Sequence, residues 1–305
     1  MDPTSPERAR ELDAADPLGP FRARFLIPDP ELVYLDGNSL GRPPLAAIEA
    51  VERVAREGWA GALIRGWSED GWLDLPLRVG DLLATGVLGA RPGEVAVTDS
   101  TTVNLYRLAA AAVAARPGRH AVAITRSEFP TDRYVIEGLA AERDLTIRWI
   151  DEDPVEGIGL ADVERILDDD LALLVLSHVN YRSAAIADVP AITARAREAG
   201  ALVLWDLSHA AGSVPVALEA AGVDLAAGCT YKHLNGGPGA PGYLYVRREF
   251  QPELRPPIQG WFAQTEQFAM GPRFRRRDGI AGWLTGTPGV LGLVAAEAGI
   301  ALAAE

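Results

Sequence analysis

From about residue 94 the chain alternates short apolar runs with longer segments of helical period, and this alternation restricts its possible folds most strongly. The apolar runs predict strands at 95–98, 121–125, 146–150, 171–177, 202–206, 225–228 and 243–246. The segments between them predict helices at 102–115, 131–142, 161–167 and 191–199. Continuous Val, Leu and Ile runs are typical of strands that are covered on both faces. The sequence therefore predicts an α/β fold with a mostly parallel central sheet flanked by helices.

The segments on either side of this region have a different pattern. Residues 1–90 have helical patterns at 44–62 and 75–83 and little strand character, which predicts an N-terminal helical arm. Residues 91–260 are predicted to form the large α/β domain. The loop-rich segment 261–305 is interpreted as the start of a smaller C-terminal domain.

Composition excludes several classes of function. A net charge of -13 and a pI near 4.9 argue against nucleic-acid binding, which depends on clustered Lys and Arg. The N-terminus lacks the basic and apolar regions of a signal peptide, and no apolar stretch reaches the ~20 residues that span a bilayer, so we expect a cytoplasmic protein without membrane contact. The single cysteine, Cys229, excludes an internal disulfide and a cysteine-rich metal site, and no metal is expected.

Three reactive side chains follow two successive predicted strands. Asp206 ends one strand, His209 comes three residues later, and Lys232 lies between the next strand and a glycine-rich loop. The carboxyl ends of parallel strands meet at one edge of a sheet, so these side chains should converge. An acid in a buried position needs a partner, which a protonated pyridine nitrogen provides, and a lysine can bond an aldehyde covalently. The pattern predicts a pyridoxal phosphate site, although a capping histidine and a surface lysine are the alternatives for each residue alone.

Weaker signals follow other strands. Thr101 and Thr102 open a predicted helix whose N-terminus could hold a phosphate, although helix capping explains the hydroxyls equally well. Phe129 could stack on a planar ring or pack in the core, and Asp132 lies near the same edge. Ser177 ends a further strand. Together with Asp206 and Lys232 these residues support one cofactor site.

With these residues in place, the chain resembles the kynureninase family, which belongs to the fold-type I pyridoxal phosphate enzymes of the class V aminotransferase superfamily. The resemblance covers about 34–288, and its most specific segments are 34–41 (YLDGNSLG), 101–105 (TTVNL), 129–132 (FPTD), 206–212 (DLSHAAG), 231–232 (YK) and 260–262 (GWF). It implies a homodimer with a shared active site. It also implies hydrolytic cleavage of L-kynurenine to anthranilate and L-alanine, in tryptophan catabolism and NAD biosynthesis, and leaves 3-hydroxykynurenine open as a second substrate.

The resemblance also assigns roles to individual residues. Lys232 would bond the cofactor and move the substrate α-proton, Asp206 would pair with the pyridine nitrogen, and Tyr231 would shuttle a proton or bind only phosphate. Ser39 and Trp67 match a substrate-facing arm. The positions that match cofactor contacts, of which the last two are contributed across a dimer interface, are Thr101, Thr102, Phe129, Asp132, Ser177, Asp206, His209, Tyr231, Lys232, Trp261 and Thr287.

Some features depart from the family pattern. Its members continue into a C-terminal domain that supplies an arginine for the substrate carboxylate, whereas the run 290–305 is helical without a glycine cap or a terminal basic residue, so we expect that domain to be absent or reduced. Cofactor binding with slow turnover is the resulting expectation. The other interpretations are a class V aminotransferase and a non-catalytic homologue that binds the cofactor. A cysteine desulfurase is disfavoured because no cysteine follows Lys232.

Overall fold

A seven-stranded sheet forms the centre of the molecule in the computed structural model, which describes residues 5–305. The strands, numbered in chain order, are β1 Val95–Val97, β2 Ala121–Thr125, β3 Thr146–Ile150, β4 Leu171–Ser177, β5 Leu202–Asp206, β6 Leu225–Cys229 and β7 Gly242–Val246. Their order in the sheet is β1-β7-β6-β5-β4-β2-β3. All neighbouring pairs are parallel except those that β7 makes with β1 and β6. The predicted, mostly parallel α/β fold is confirmed.

Helices cover both faces of this sheet. They are α1 Pro6–Ala15, α2 Leu45–Arg53, α3 Gly66–Glu69, α4 Leu75–Leu83, α5 Thr101–Ala114, α6 Pro130–Arg143, α7 Leu160–Glu164, α8 Val189–Glu198 and α9 Val290–Ala303. Two π-helical segments, Val54–Ala62 and Ala84–Leu88, continue α2 and α4. Short 3₁₀ turns occupy Gly19–Arg24, Leu63–Arg65, Arg248–Phe250, Trp261–Ala263, Gln267–Ala269 and Gly279–Trp283.

Two elements are shorter than the sequence predicts. Helix α7 ends at Glu164 rather than at 167. The α-helical bonding ends there because Ile166 N–H donates to the Val163 carbonyl at 3.0 Å, which is the tighter bonding of a 3₁₀ turn. Strand β1 ends at Val97 because the chain turns at Asp99, whose φ of 51° lies in the left-handed region.

The core has two apolar layers, one on each face of the sheet. One layer packs the strands against α4, α8 and α9, and the other packs them against α5 and α6. Helix α9 also packs along α2 and α4, so the C-terminal helix joins the layer that contains the N-terminal helices. Strands β2, β5, β6 and β7 are buried along their whole length, as their apolar runs predict.

The register of the sheet brings polar strand ends together. Ser177, the last residue of β4, pairs with Asp206, the last residue of β5. Asp206 in turn pairs with Ala227 on β6, two residues before the end of that strand. Side chains that follow β4, β5 and β6 therefore meet at one edge. Across residues 5–305, no helix is long and apolar enough to cross a membrane.

Candidate active site

Lys232 lies at the centre of the pocket at this edge. The side chain is 9% exposed, and its Nζ lies 2.9 Å from His209 Nε2. The same nitrogen lies over the ring of Phe129, 5.5 Å from the ring centroid. The turn after β6 fixes this position, because Gly236 N–H donates to the Thr230 carbonyl at 2.8 Å. Lys232 is also the only lysine among the 305 residues.

His209 is held in its neutral form beside this amine. Burial lowers its pKa to about 4, and the charge of Lys232 lowers it further, while Asp206 acts in the opposite direction. A neutral imidazole can leave Nε2 unprotonated. His209 is therefore an acceptor for a hydrogen bond that the Lys232 ammonium donates.

Asp206 is a buried carboxylate on the floor of the pocket. It is 6% exposed, and Oδ1 accepts a hydrogen bond from Ser208 N–H at 2.7 Å. The hydrogen bond fixes the carboxylate at the end of β5. A buried carboxylate with one fixed oxygen can use its other oxygen to pair with a protonated group of a ligand.

Two further acids lie beside Asp206. Asp132 is 2% exposed, and its Oδ2 has no hydrogen-bond partner among the residues 5–305. Burial, reinforced by the neighbouring charges of Asp206 and Glu128, raises the pKa of Asp132 well above its ordinary value. Burial also raises the pKa of Glu128. Asp206 and Asp132 thus line the pocket with Glu128 behind them, and Asp132 retains a polar atom without a hydrogen-bond partner.

The opposite end of the pocket suits an anion. Thr101 and Thr102 form the first turn of α5, where backbone N–H groups lack intrahelical acceptors. Ser100 caps the helix by accepting a hydrogen bond from Val103 N–H at 3.3 Å, and Thr101 Oγ1 donates to the Gly228 carbonyl at 3.2 Å. Because Ser100 provides the cap, the Thr102 hydroxyl is not needed for capping and can contact an anion.

An aromatic wall closes one side. Phe129 is 38% exposed, and its ring meets that of Tyr181 edge to face, with centroids 5.3 Å apart. Tyr231 lines the pocket beside Lys232, and burial raises its pKa to about 12. Its phenol therefore keeps its proton at neutral pH.

Most of the residues that the sequence suggests lie together. One pocket contains Thr101, Thr102, Phe129, Asp132, Ser177, Asp206, His209, Tyr231 and Lys232. Three residues that the sequence analysis did not select, Thr131, Tyr181 and Ser208, line the same pocket. Ser208 lies in the segment 206–212 and Thr131 in the segment 129–132, so these two motifs are the sequence signal that could have identified them.

The other four suggested residues lie outside this pocket. Trp261 is 40% exposed and packs against Phe262, and Thr287 lines a separate cavity together with Asp99. Trp67 packs edge to face against Trp72, with centroids 5.6 Å apart. Within a single chain these residues do not meet the ring-binding residues.

Ser39 belongs to a segment that is attached to the pocket. The Ser39 hydroxyl donates to Asp36 Oδ1 at 2.7 Å, and the nearby Gly41 N–H donates to the Tyr231 carbonyl at 2.9 Å. A Cβ at Gly41 would overlap the Asn235 side chain and the Lys232 carbonyl, so only glycine permits this approach. The arm is thereby fixed beside Tyr231 and Lys232.

The residues present fit pyridoxal phosphate. The buried amine of Lys232 matches its aldehyde, and the buried carboxylate of Asp206 matches its pyridine nitrogen. The exposed face of Phe129 matches its ring, and the N-terminus of α5 matches its phosphate. The unpartnered Asp132 Oδ2 offers a further polar contact. By contrast, residues 5–305 contain no group of three or more His, Cys, Asp or Glu side chains arranged to hold a metal ion.

A half-buried acid behind the pocket gives a prediction about pH. The Glu152 carboxylate accepts a hydrogen bond from Asn180 Nδ2 at 2.8 Å, and burial, with the charges of Glu128 and Asp162, raises its pKa to about 7. Between pH 4.5 and 7 the folded chain holds a proton here that the unfolded chain releases, so this contribution to stability is lost as pH rises through that window. Glu152→Gln should therefore gain stability relative to the wild type between pH 5 and pH 8.

Urea unfolding at both pH values measures this difference. Glu156→Gln, which alters an exposed carboxylate of the same loop, is the control and should show no such pH dependence. A Glu152→Gln variant whose stability relative to the wild type is the same at both pH values would contradict the assignment.

Comparisons with known proteins show the family of the chain. The sequence profile of the family described as Aminotransferase class-V matches residues 83–305. The chain is 44% identical over 305 residues to the kynureninase of Burkholderia pseudomallei (strain K96243), covering 98% of this chain and 71% of that protein. It is 43% identical over 300 residues to the kynureninase of Pseudomonas fluorescens, covering 96% and 70%. The chain thus spans about 70% of the length of these relatives.

Solved structures share the fold at low sequence identity. A C-DES mutant with glycine covalently linked to its pyridoxal phosphate cofactor superposes with a TM-score of 0.78 at 20% identity, covering 90% of this chain and 71% of that one. The apo cysteine desulfurase from Thermococcus onnurineus NA1 gives 0.75 at 22%, covering 98% and 70%. These similarities show the fold-type I architecture.

Proposed function

The chain belongs to the kynureninase family of class V aminotransferase-related enzymes, and from that premise we propose that it uses pyridoxal phosphate to hydrolyse L-kynurenine to anthranilate and L-alanine. The observation that carries the proposal is the position of Lys232. The only lysine of the chain is buried in the pocket that also contains Asp206, His209 and Phe129. Any covalent bond between a side-chain amine and the cofactor must therefore form there.

Lys232 performs the proton transfers at the reacting carbons. When bound, pyridoxal phosphate supplies an electron sink for carbanion chemistry. Lys232 would hold the cofactor, and once its Nζ is free of that bond it would be placed to take the proton from the substrate α-carbon and to deliver it to a second reacting carbon. His209 Nε2, 2.9 Å away, orients this amine without competing for its proton, because the low pKa of the imidazole keeps it neutral.

Asp206 holds the charge that the reaction needs. Its buried carboxylate, fixed by the hydrogen bond from Ser208 N–H, would pair with the pyridine nitrogen of a bound cofactor and favour the protonated form of that nitrogen. Such pairing is strong in a site that excludes water. Phe129 presents a ring face on which the cofactor ring would stack, and Thr101 and Thr102, at the start of α5, would hold its phosphate.

Tyr231 is suited to donate a proton rather than to remove one. Its pKa of about 12 keeps the phenol protonated, and its backbone carbonyl holds the arm through Gly41. The aryl ketone of the substrate gains a water molecule before its β–γ carbon bond breaks, and the released β-carbon must gain a proton. We assign that donation to Tyr231, with a phosphate contact as the competing role.

A homodimer is also part of this proposal. Trp261 and Thr287 lie outside the pocket within one chain, and Trp261 is 40% exposed. In a dimer these side chains could meet the pocket of the partner, as the resemblance implies. The absence of a membrane-spanning helix in residues 5–305 is compatible with a cytoplasmic location, which we also propose.

Product analysis tests the proposed reaction. The purified chain, incubated with pyridoxal phosphate and L-kynurenine, should release anthranilate, followed by its fluorescence, and L-alanine in equal amounts. Equal stoichiometry is the expected result at any rate of turnover. Transfer of the amino group to an added keto acid without release of anthranilate would instead identify an aminotransferase and overturn the proposal.

A further inference from the structure

Glu128 is a buried acid that connects two walls of the pocket without lining it. It is 3% exposed and lies between the end of β2 and the start of α6. Its Oε2 accepts a hydrogen bond from Ser177 N–H at 2.9 Å, and its Oε1 accepts one from Phe129 N–H at 3.2 Å. The Ser177 hydroxyl also contacts Oε1. One carboxylate therefore accepts the two backbone N–H groups on separate oxygens.

The two residues held by Glu128 belong to neighbouring strands of the sheet. Strands β2 and β4 are parallel neighbours, and Phe129 follows the end of β2 while Ser177 ends β4. The ladder of backbone hydrogen bonds between the strands stops before these positions, because its last paired residues are Ile124 and Val175. Beyond that point the Glu128 side chain connects the two chain segments, together with a longer hydrogen bond of 3.4 Å that Asn180 Nδ2 donates to Ser127 Oγ.

We propose that Glu128 is a positioning residue for the cofactor: its carboxylate sets the spacing between the ring-stacking face of Phe129 and the polar contact of Ser177. This inference rests on the proposed function, because Phe129 and Ser177 matter in this way only if a planar cofactor binds between them. Glu128 itself does not touch the pocket space, so it acts through the two residues that it holds.

Hydrogen bonding to both oxygens distinguishes this role from a general effect of charge. Glutamine at position 128 would keep one oxygen acceptor and would place an NH₂ group against a backbone N–H donor. Either Phe129 N–H or Ser177 N–H would then lack an acceptor, so the free pocket would no longer hold the two residues at their spacing, and restoring that spacing on binding would cost cofactor affinity. At pH 8, above the Glu152 pKa of about 7, Glu152→Gln removes a nearby charged carboxylate that is bonded to Asn180 instead, so at that pH it controls for charge.

The test compares cofactor affinities at pH 8 by titration of the wild type, Glu128→Gln and Glu152→Gln with pyridoxal phosphate, followed by the visible absorbance and circular dichroism of the bound cofactor. We expect Glu128→Gln to bind about 10-fold more weakly, with a changed dichroic band, and Glu152→Gln to match the wild type. Equal weakening by both variants would show an electrostatic effect and overturn the proposal. So would an unchanged affinity and dichroic band in Glu128→Gln.

A double-mutant cycle with Ser177→Ala separates positioning from loss of fold. If Glu128 acts through Ser177, the two substitutions should be less than additive in their effect on cofactor affinity. Strict additivity would contradict the proposal. If Glu128→Gln does not fold, Glu128→Asp replaces it, because aspartate keeps two oxygens on a shorter side chain. Glu128→Asp should bind pyridoxal phosphate roughly 3-fold more weakly or worse. An unchanged affinity of this variant would also overturn the proposal.

Failure of this inference can be told apart from failure of the proposed function. If the wild type itself forms no visible complex with pyridoxal phosphate, the proposed function fails and the role of Glu128 fails with it. If the wild type forms the complex and Glu128→Gln binds equally well, only the positioning role is wrong.

Discussion

Replacement of Lys232 by alanine should abolish the covalent attachment of pyridoxal phosphate and lower the rate of kynurenine cleavage by about 10³-fold or more. The substitution removes both the amine that bonds the cofactor and the base for the α-proton, and a positioned acid or base alone contributes roughly 10²- to 10⁴-fold. It also produces a chain without any lysine. Absorbance titration with the cofactor and an anthranilate fluorescence assay measure the two losses.

Lys232→Arg is the matched control for this prediction. Arginine keeps a cation near His209 Nε2 but cannot take over the covalent bond, since the guanidinium group stays protonated. Both variants should therefore lose the covalent cofactor, while Lys232→Arg preserves the charge of the pocket. Cleavage by either variant at the wild-type rate would show that Lys232 is not the catalytic amine.

Substitution of Asp206 by asparagine should leave the covalent attachment intact but lower the cleavage rate by about 10²- to 10³-fold. Asparagine keeps the shape and the acceptor oxygen for Ser208 N–H, yet it removes the negative charge opposite the pyridine nitrogen. Loss of one fixed electrostatic contact to a developing charge typically costs that factor. Steady-state kinetics on the cofactor-loaded variant measure the change in kcat.

The comparison variant for Asp206→Asn is Glu152→Gln, which removes a carboxylate behind the pocket. It should leave kcat near the wild-type value. A similar loss of kcat in both variants would mean that net charge near the sheet edge, rather than pairing with the ring nitrogen, controls the reaction. Full activity of Asp206→Asn would contradict the assigned role directly.

The sequence predicts the sheet well because buried parallel strands have continuous apolar runs. All seven predicted strands appear, and β2, β3, β4 and β5 have the predicted bounds. The antiparallel direction of β7 and the lateral order of the strands were not predicted. The direction of β7 goes with the connection 230–241, which contains no crossover helix between β6 and β7. The lateral order depends on how helices pack across the sheet, which local periodicity does not encode.

The site was predictable where its residues stand directly at strand ends. Asp206, Lys232 and Thr101 follow apolar runs, and the carboxyl ends of parallel strands meet at one edge. Glu128 lies in such a segment too, but its role depends on the contact between β2 and β4, which are not consecutive in the chain. Trp261 and Thr287 remain predictions, since a single chain leaves them outside the pocket.

The central claim is that pyridoxal phosphate bonds to Lys232. Borohydride reduction of the wild-type chain with the cofactor, followed by mass spectrometry of the intact protein and of the peptide that contains Lys232, tests it directly. Because the chain has one lysine, we predict a single reduced cofactor per chain, located on that peptide and absent from Lys232→Ala. No adduct, or an adduct only on the N-terminal amine, would contradict the account.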